Sequence, residues 1–291
     1  MSRPLLPLAL SVLFVGLFAS SEEAAKGMTP RDFLSIHHLN DPVLSPDGRY
    51  VIYQRSNTLW SKNEKVDRYR LIDLETGARL PVPEPKRDAT SVGDIWWRPD
   101  ATGYIYLRRP PGERNRQAYF FEIDSGESKQ LTDHDEEIGF IIWARDGAGF
   151  YFGTREHENP APGEKAVKSE WEIRAYDEPS DRELWYFDQD SGNSESVVAG
   201  DFTVRTASLS NDGTHLVYTR APDQRLNSGY LREVFIRDLS TGVERVWTAN
   251  DYSEANVRLS PDNQTIAFIA TVNEAGEPYY EDKVFVQNSG E

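Results

Sequence analysis

Cysteine is missing from all 291 residues. Its absence excludes disulfides, thiolate metal sites, a cysteine nucleophile and a lipidated cysteine anchor, although it fixes no compartment by itself. Positive charge is in deficit, with 32 Lys and Arg against 48 Asp and Glu, for a net charge of −16. A chain of that balance repels phosphate backbones, so nucleic acid is not an expected partner. Histidine is scarce: His37, His38, His134, His157 and His215 are the whole set, and none stands beside a recognisable nucleophile turn. No Gly-x-Ser-x-Gly occurs anywhere in the sequence, so the chain offers no serine elbow and no catalytic residue is assigned to it.

What is present begins with a leader. Arg3 precedes the continuous apolar run Leu5 to Ala19, and small residues at Ala19, Ser20 and Ser21 stand before Glu22. This is the three-part layout of a secretory signal peptide, and the run is short for a membrane span. The expected organisation is a signal peptide over 1–21, a polar linker over 22–27 and one folded region over 28–291. The expected location is periplasmic or secreted, with no membrane span once the leader is cleaved; the rival is a leader retained as an anchor. The composition, 27% charged and 38% hydrophobic, is that of soluble globular material.

The folded region repeats. Ser45-Pro46-Asp47-Gly48 introduces the apolar stretch Tyr50 to Tyr53, and degenerate copies recur around Asp100, Asp146, Asp212 and Asp262. The step is about fifty residues, a period typical of solenoids, propellers and arrays. Each copy is followed by a second punctuation, a Ser/Thr-Gly or Asn-Ser-Gly ending at Gly77, Gly126, Gly192, Gly242 and Gly290. Asp or Asn before Gly suits a tight hairpin turn, and the flanks are rich in Val, Ile, Tyr and Phe. Each unit therefore reads strand, Asp-Gly-type turn, strand, variable loop, strand, Ser/Thr-Gly turn, strand. Four antiparallel strands per repeat make a propeller blade. The predicted fold is all-β, a partial β-propeller of about five blades whose last blade is incomplete, with a short N-terminal helix. A β-sandwich would need both turn series to arise by chance.

Thr29 as a cap, Pro30 and Asp32 predict that helix, ending near Asn40 with Phe33 and Ile36 on one face. The longest step, from Asp146 to Asp212, locates an insertion over Glu156 to Arg182, and smaller insertions follow Arg55 and Ala221. The acidic stretch Asp133 to Gly139 around His134 lacks the spacing of a calcium loop and reads as a solvated loop between blades. Trp96, Trp97 and Trp143 precede turns and read as blade-to-blade packing, whereas Trp171 lies in the insertion. No metal and no cofactor is expected.

The stretch from Met28 to Ser56, a Thr-Pro helix start followed by Asp-Pro and then Ser-Pro-Asp-Gly, resembles the start of the mature region of the prolyl oligopeptidase (S9) family. More narrowly, it and the stretch Glu172 to Gly192 resemble the acylaminoacyl-peptidase and dipeptidyl-peptidase 5 branch. The resemblance implies a propeller of seven or eight blades covering a C-terminal α/β-hydrolase domain with a Ser-Asp-His triad, and peptides as substrates. This chain departs from it, with five repeats and no triad. The expectation is a non-catalytic, substrate-gating propeller portion whose catalytic domain would lie beyond Glu291. Dipeptidyl-peptidase relatives hold a substrate's amino terminus with acidic residues projected from the propeller. On that basis Glu170, Glu172, Arg174 and Tyr176 in the insertion are the substrate-binding candidates, although they do not match the Glu-Glu pair of the dipeptidyl-peptidase 4 branch. Bare blade faces also predict a possible homo-oligomer. The alternative is a TolB-like propeller that binds proteins and carries no enzyme.

Overall fold

The computed structural model describes residues 27–83, 95–113, 115–155, 182–223, 227–250, 252–272 and 278–288. The two turn series organise everything else. In the first turn, Ser45 Oγ donates to Asp47 Oδ1 (2.5 Å) and accepts from the Tyr50 N–H (2.8 Å), while Asp47 Oδ1 accepts from the Arg49 N–H (3.0 Å). The same three bonds recur with Ser210, Asp212, Thr214 and His215, and again with Ser260, Asp262, Gln264 and Thr265. Ser and Asp thus satisfy the backbone donors that a two-stranded turn leaves open. Gly48 lies at φ +75°, a conformation that a side chain would resist. The second series works alike: Asp73 Oδ1 accepts from the N–H groups of Glu75 and Thr76, and Asp238 Oδ1 from those of Ser240 and Thr241.

These turns fold the chain into five antiparallel meanders. The first sheet holds β1 (His38–Leu44), β2 (Tyr50–Leu59), β3 (Glu64–Asp73) and β4 (Arg79–Leu80). The second holds β5 (Ile95–Trp97), β6 (Gly103–Arg108), β7 (Gln117–Glu122) and β8 (Ser128–Gln130). The third holds β9 (Glu137–Trp143), β10 (Gly149–Arg155), β11 (Leu184–Asp188) and β12 (Ser194–Val198). The fourth holds β13 (Thr203–Leu209), β14 (His215–Ala221), β15 (Glu233–Asp238) and β16 (Glu244–Val246). The fifth holds three strands among the described residues, β17 (Ala255–Leu259), β18 (Thr265–Val272) and β19 (Pro278–Asn288).

Strand alternation gives each sheet two apolar faces, and each successive pair of sheets closes one core. Tyr50, Ile52, Tyr69 and Leu71 of the first sheet pack on Ile95, Trp97, Tyr104, Tyr106 and Phe121 of the second. Ile105, Leu107 and Ala118 then meet Ile138, Ile141, Trp143, Phe150, Phe152 and Phe187 of the third. Leu184 and Val198 meet Val204, Leu216 and Tyr218 of the fourth. Val217, Val234 and Ile236 meet Val257, Ile266, Phe268, Ala270 and Val272 of the fifth. Each large side chain removed from water this way contributes roughly 1.5–3 kcal/mol. Four cores joining five sheets in series is the stacking of propeller blades. The predicted tryptophans behave as expected: Trp97 and Trp143 are core residues, and the Trp143 Nε1–H donates across the sheets to Trp96 O at 3.0 Å.

Three expectations need correction. The helix α1 (Pro30–Leu34) has the expected capping box between Thr29 and Asp32, but it ends at Ser35, and the chain enters β1 at His38 rather than staying helical to Asn40. Pairing with β2 wins over so short a helix, since one turn cannot repay its own nucleation. Arg31 stacks on Trp60, and Thr58 and Trp60 bond to Leu34 O and Ser35 Oγ, so the helix leans on the tip of β2 while Phe33 stays 58% exposed. The extra residues after Arg55 form no separate loop but lengthen β2 and β3 into a ten-rung hairpin. The stretch Asp133 to Gly139 does connect two blades, yet Glu137 is buried at 3% exposure, so this is not a fully solvated loop.

Candidate functional site at the loop end of the propeller

Antiparallel meanders put both turn series at one end of every sheet. The connections from second to third strand and from blade to blade lie at the other end, here called the loop end. Residues 156–181 lie between β10 and β11, so the insertion leaves from the loop end of the third blade. Its flanks are fastened. Thr154 N–H donates to Glu183 O (3.1 Å) and Glu183 N–H donates back to Thr154 Oγ1 (3.2 Å). Arg182 N–H donates to Thr203 Oγ1 (3.3 Å) and Val204 N–H to Arg182 O (2.9 Å). The candidates Glu170, Glu172, Arg174 and Tyr176, and Trp171 with them, lie outside the described residues.

Beside that stem stand two matching polar clasps. In the second blade Gln117, the first residue of β7, reaches into the connection to the third blade. Its Oε1 accepts from the Thr132 hydroxyl and the His134 N–H (both 2.9 Å), and its Nε2 donates to His134 O (2.8 Å). Thr132 Oγ1 accepts in turn from the Ala118 N–H (2.9 Å). Arg116 then pairs with the buried Glu137 at 3.1 Å, with Arg109 at 3.9 Å. The His134 ring packs edge-on against Trp185 and Phe152, with centroids at 4.8 and 5.4 Å. This acidic stretch is thereby tied into the blade junction. Among the described residues no three His, Asp or Glu side chains converge as a metal site requires.

In the fourth blade Arg232, Glu233, Thr248 and Asn250 stand where the second has Arg116, Gln117, Thr132 and His134, while Ser253 takes the place of Glu137 and Glu254 that of Ile138. Glu233 Oε1 accepts from the Asn250 N–H (2.9 Å), Thr248 Oγ1 from the Val234 N–H (2.8 Å), and Asn250 Nδ2 donates to Glu254 Oε1 (2.5 Å). Arg232 Nε donates to Ser253 Oγ at 2.8 Å. Here the chemistry differs from the second blade. Glu254 is 0% exposed and its Oε2 has no partner, as does Oε2 of Glu233. Burial pushes the Glu254 carboxyl up to about 7, and the neighbouring Glu233 adds to the shift. The loop end therefore holds one carboxyl that changes charge near neutrality.

Residue reading overlooked these clasps. Their signal is nonetheless present: Arg116, Arg182 and Arg232 each stand ten residues before a turn glycine, and each precedes Gln or Glu and then an apolar residue.

The chain matches no family model. Over 122 residues it is 25% identical to the uncharacterized peptidase YuxL of Bacillus subtilis (strain 168), covering 42% of this chain and 18% of that protein. The five-sheet arrangement superimposes on the β-propeller domain of the Trilobed protease from Pyrococcus furiosus with a TM-score of 0.55. That match is 14% identical and covers 88% of this chain and 69% of that one. The chain is a β-propeller, the fold it shares with this protease domain. The propeller also superimposes on the acylaminoacyl peptidase of Pyrococcus horikoshii with a TM-score of 0.55 at 15% identity, over 89% of this chain and 39% of that one. The propeller thus spans about a fifth of the length of the curated relative it matches.

Proposed function

We propose that these residues are the substrate-gating propeller of an exported S9-type serine peptidase that cleaves short peptides. The observation that carries this reading is the sequence match to a peptidase on top of a propeller whose helix, Asp-Pro and Ser-Pro-Asp-Gly order resembles that family. In this reading the propeller holds no nucleophile and restricts which substrates reach a catalytic domain. The insertion from the loop end supplies contacts: Glu170 and Glu172 for a substrate's ammonium group, with Arg174 and Tyr176 beside them. The apolar leader directs the chain across the membrane and is cleaved near Glu22.

The test is the coding sequence downstream of Glu291 together with its product. A Gly-x-Ser-x-Gly followed by Asp and His, and hydrolysis of short chromogenic peptides by the full product, support the peptidase. A product without that motif that still captures proteins supports the TolB-like module instead. N-terminal sequencing of the exported form checks the leader, since a retained Arg3 contradicts cleavage. The chain on its own should not be labelled by a fluorophosphonate probe above a heat-denatured control.

A further inference from the structure

The two clasps close the same kind of junction with different chemistry. In the second blade every contact of Gln117 is neutral: its oxygen serves the Thr132 hydroxyl and the His134 N–H, and its nitrogen serves His134 O. Ile138, at the position of Glu254, is an apolar core residue. The fourth blade puts a carboxyl at both places, Glu233 and Glu254. One asparagine gathers the pair. The Asn250 N–H donates to Glu233 Oε1, and the Asn250 side-chain amide donates to Glu254 Oε1. Each carboxyl is left with one oxygen, Oε2, that is shut off from water and has no hydrogen-bond partner.

Two ionised carboxylates cannot rest in that arrangement, because a buried charge is tolerated only beside a partner of opposite sign. The charged and titratable groups near Glu254 among the described residues are Glu233, the first residue of β15, Arg232 just before it, Tyr252 between the blades, and Arg205 of β13 beyond Arg232. Glu233 has the same sign as Glu254. Arg232 is attracted to Glu254 but forms no ion pair with it, and it gives its Nε–H to Ser253 Oγ instead. Arg205 repels Arg232, and the Tyr252 hydroxyl is held neutral, first by burial and then by the two carboxyls. A protonated Glu254 meets no such difficulty.

We propose that Glu254 is a pH-driven latch between the fourth and fifth blades: with its proton it stays inside and holds Asn250, and on releasing that proton to water it turns out to solvent and frees the junction at the loop end. The hydrogen bonds say what moves. The Tyr252 N–H donates to Asn250 Oδ1 at 2.9 Å, so the local turn depends on Asn250 being held. The sheets stay together, because Thr248 Oγ1 still accepts from the Val234 N–H and Val257, Ile266 and Phe268 keep their core. Burial first and Glu233 after it push the Glu254 carboxyl up to about 7, so the latch works near neutrality. The device stands whether or not the propeller serves a peptidase.

Hydrogen–deuterium exchange of the full chain tests this, read by mass spectrometry from pH 5.5 to 8 and corrected for the intrinsic pH dependence of exchange. Peptides covering 247–256 should lose protection about tenfold or more over that range. Peptides covering 131–138, the clasp of the second blade, should lose none. In Glu254→Gln the side chain stays neutral, so 247–256 should keep its acid-side protection at pH 8. Glu233→Gln should shrink the pH effect in the same peptides, because the like charge beside Glu254 is gone. Circular dichroism at each pH checks that the variants are folded. A parent chain whose 247–256 protection does not fall by pH 8 overturns the proposal. So does an equal loss over 131–138, which marks global unfolding, and so does an undiminished pH response in Glu254→Gln.

Discussion

Replacing Glu254 by Gln should remove a pH dependence that the parent chain carries. Glu254 is fully buried, it accepts one hydrogen bond from Asn250, and its second oxygen has no partner. Burial raises its folded-state value from 4.5 to about 7. Below about 4.5 both folded and unfolded chains hold the proton, and the favourable state of this site is fully present. As the pH rises the unfolded chain releases the proton first, and the advantage is lost progressively until the folded carboxyl also ionises near 7. At about 1.4 kcal/mol per tenfold difference in proton affinity, the loss from this one group is about 3 kcal/mol between pH 4 and pH 8. The turn aspartates work in the opposite direction. Asp238, held near 2 first by Ser240, contributes stability above its unfolded value and loses it as the pH falls. The quantity to measure is therefore the difference between parent and Glu254→Gln, from urea unfolding followed by tryptophan fluorescence at several pH values. The variant should match the parent in acid and exceed it by about 2–3 kcal/mol at pH 8. Parallel curves, agreeing within about 0.5 kcal/mol at every pH, would refute the assignment of a neutral buried carboxyl.

Three further outcomes follow from the blades. Glu233→Gln should stabilise the chain by about 1–2 kcal/mol, because the amide supplies the donor that Gln117 already uses on His134 O while Oε2 of Glu233 stands unpartnered; chemical denaturation at pH 7 reads it. Tyr104→Phe should be neutral or stabilising by about 1 kcal/mol, since the hydroxyl is buried at 1% exposure with no partner; a loss above 1 kcal/mol would reveal a hidden bond. Gly103→Ala should destabilise by about 2–4 kcal/mol, because a Cβ there collides with Phe121 O and the Phe120 ring, and a thermal melt would register a large drop.

The fold was legible because its turns are built from side chains that advertise themselves. Ser45 and Asp47, with their copies at Ser210 and Asp212 and at Ser260 and Asp262, are themselves the hydrogen-bonding groups that close each hairpin. The strand alternation of Tyr50 to Tyr53 likewise reports its two faces. The helix boundary was not legible, because whether His38 to Asn40 pair with β2 depends on residues Gln54 to Ser56, far along the chain. The clasps were missed for a related reason. Gln117 and His134 are seventeen residues apart, and nothing in the intervening stretch marks them as partners. The aromatic packing of His134 on Trp185 joins two blades and is visible only once both are folded. For the candidate site, the insertion was located from repeat length alone, whereas the carboxyl that titrates near neutrality depends on burial, which one residue letter does not carry.

Because each sheet uses one contiguous stretch of chain and each core joins only consecutive sheets, assembly has a natural direction. A ribosome delivers the first blade whole before it delivers the second. Tyr50, Ile52, Tyr69 and Leu71 then wait for Trp97 and Tyr104, a short interval rather than the whole length of the protein. Each completed blade becomes the template for the one that follows, and among the described residues each core joins a blade only to its neighbours in sequence. A damaged third blade should therefore remove the two cores it shares, while the first and second blades, and the fourth and fifth, can still pair with each other. The order of the chain is in this sense also a timetable.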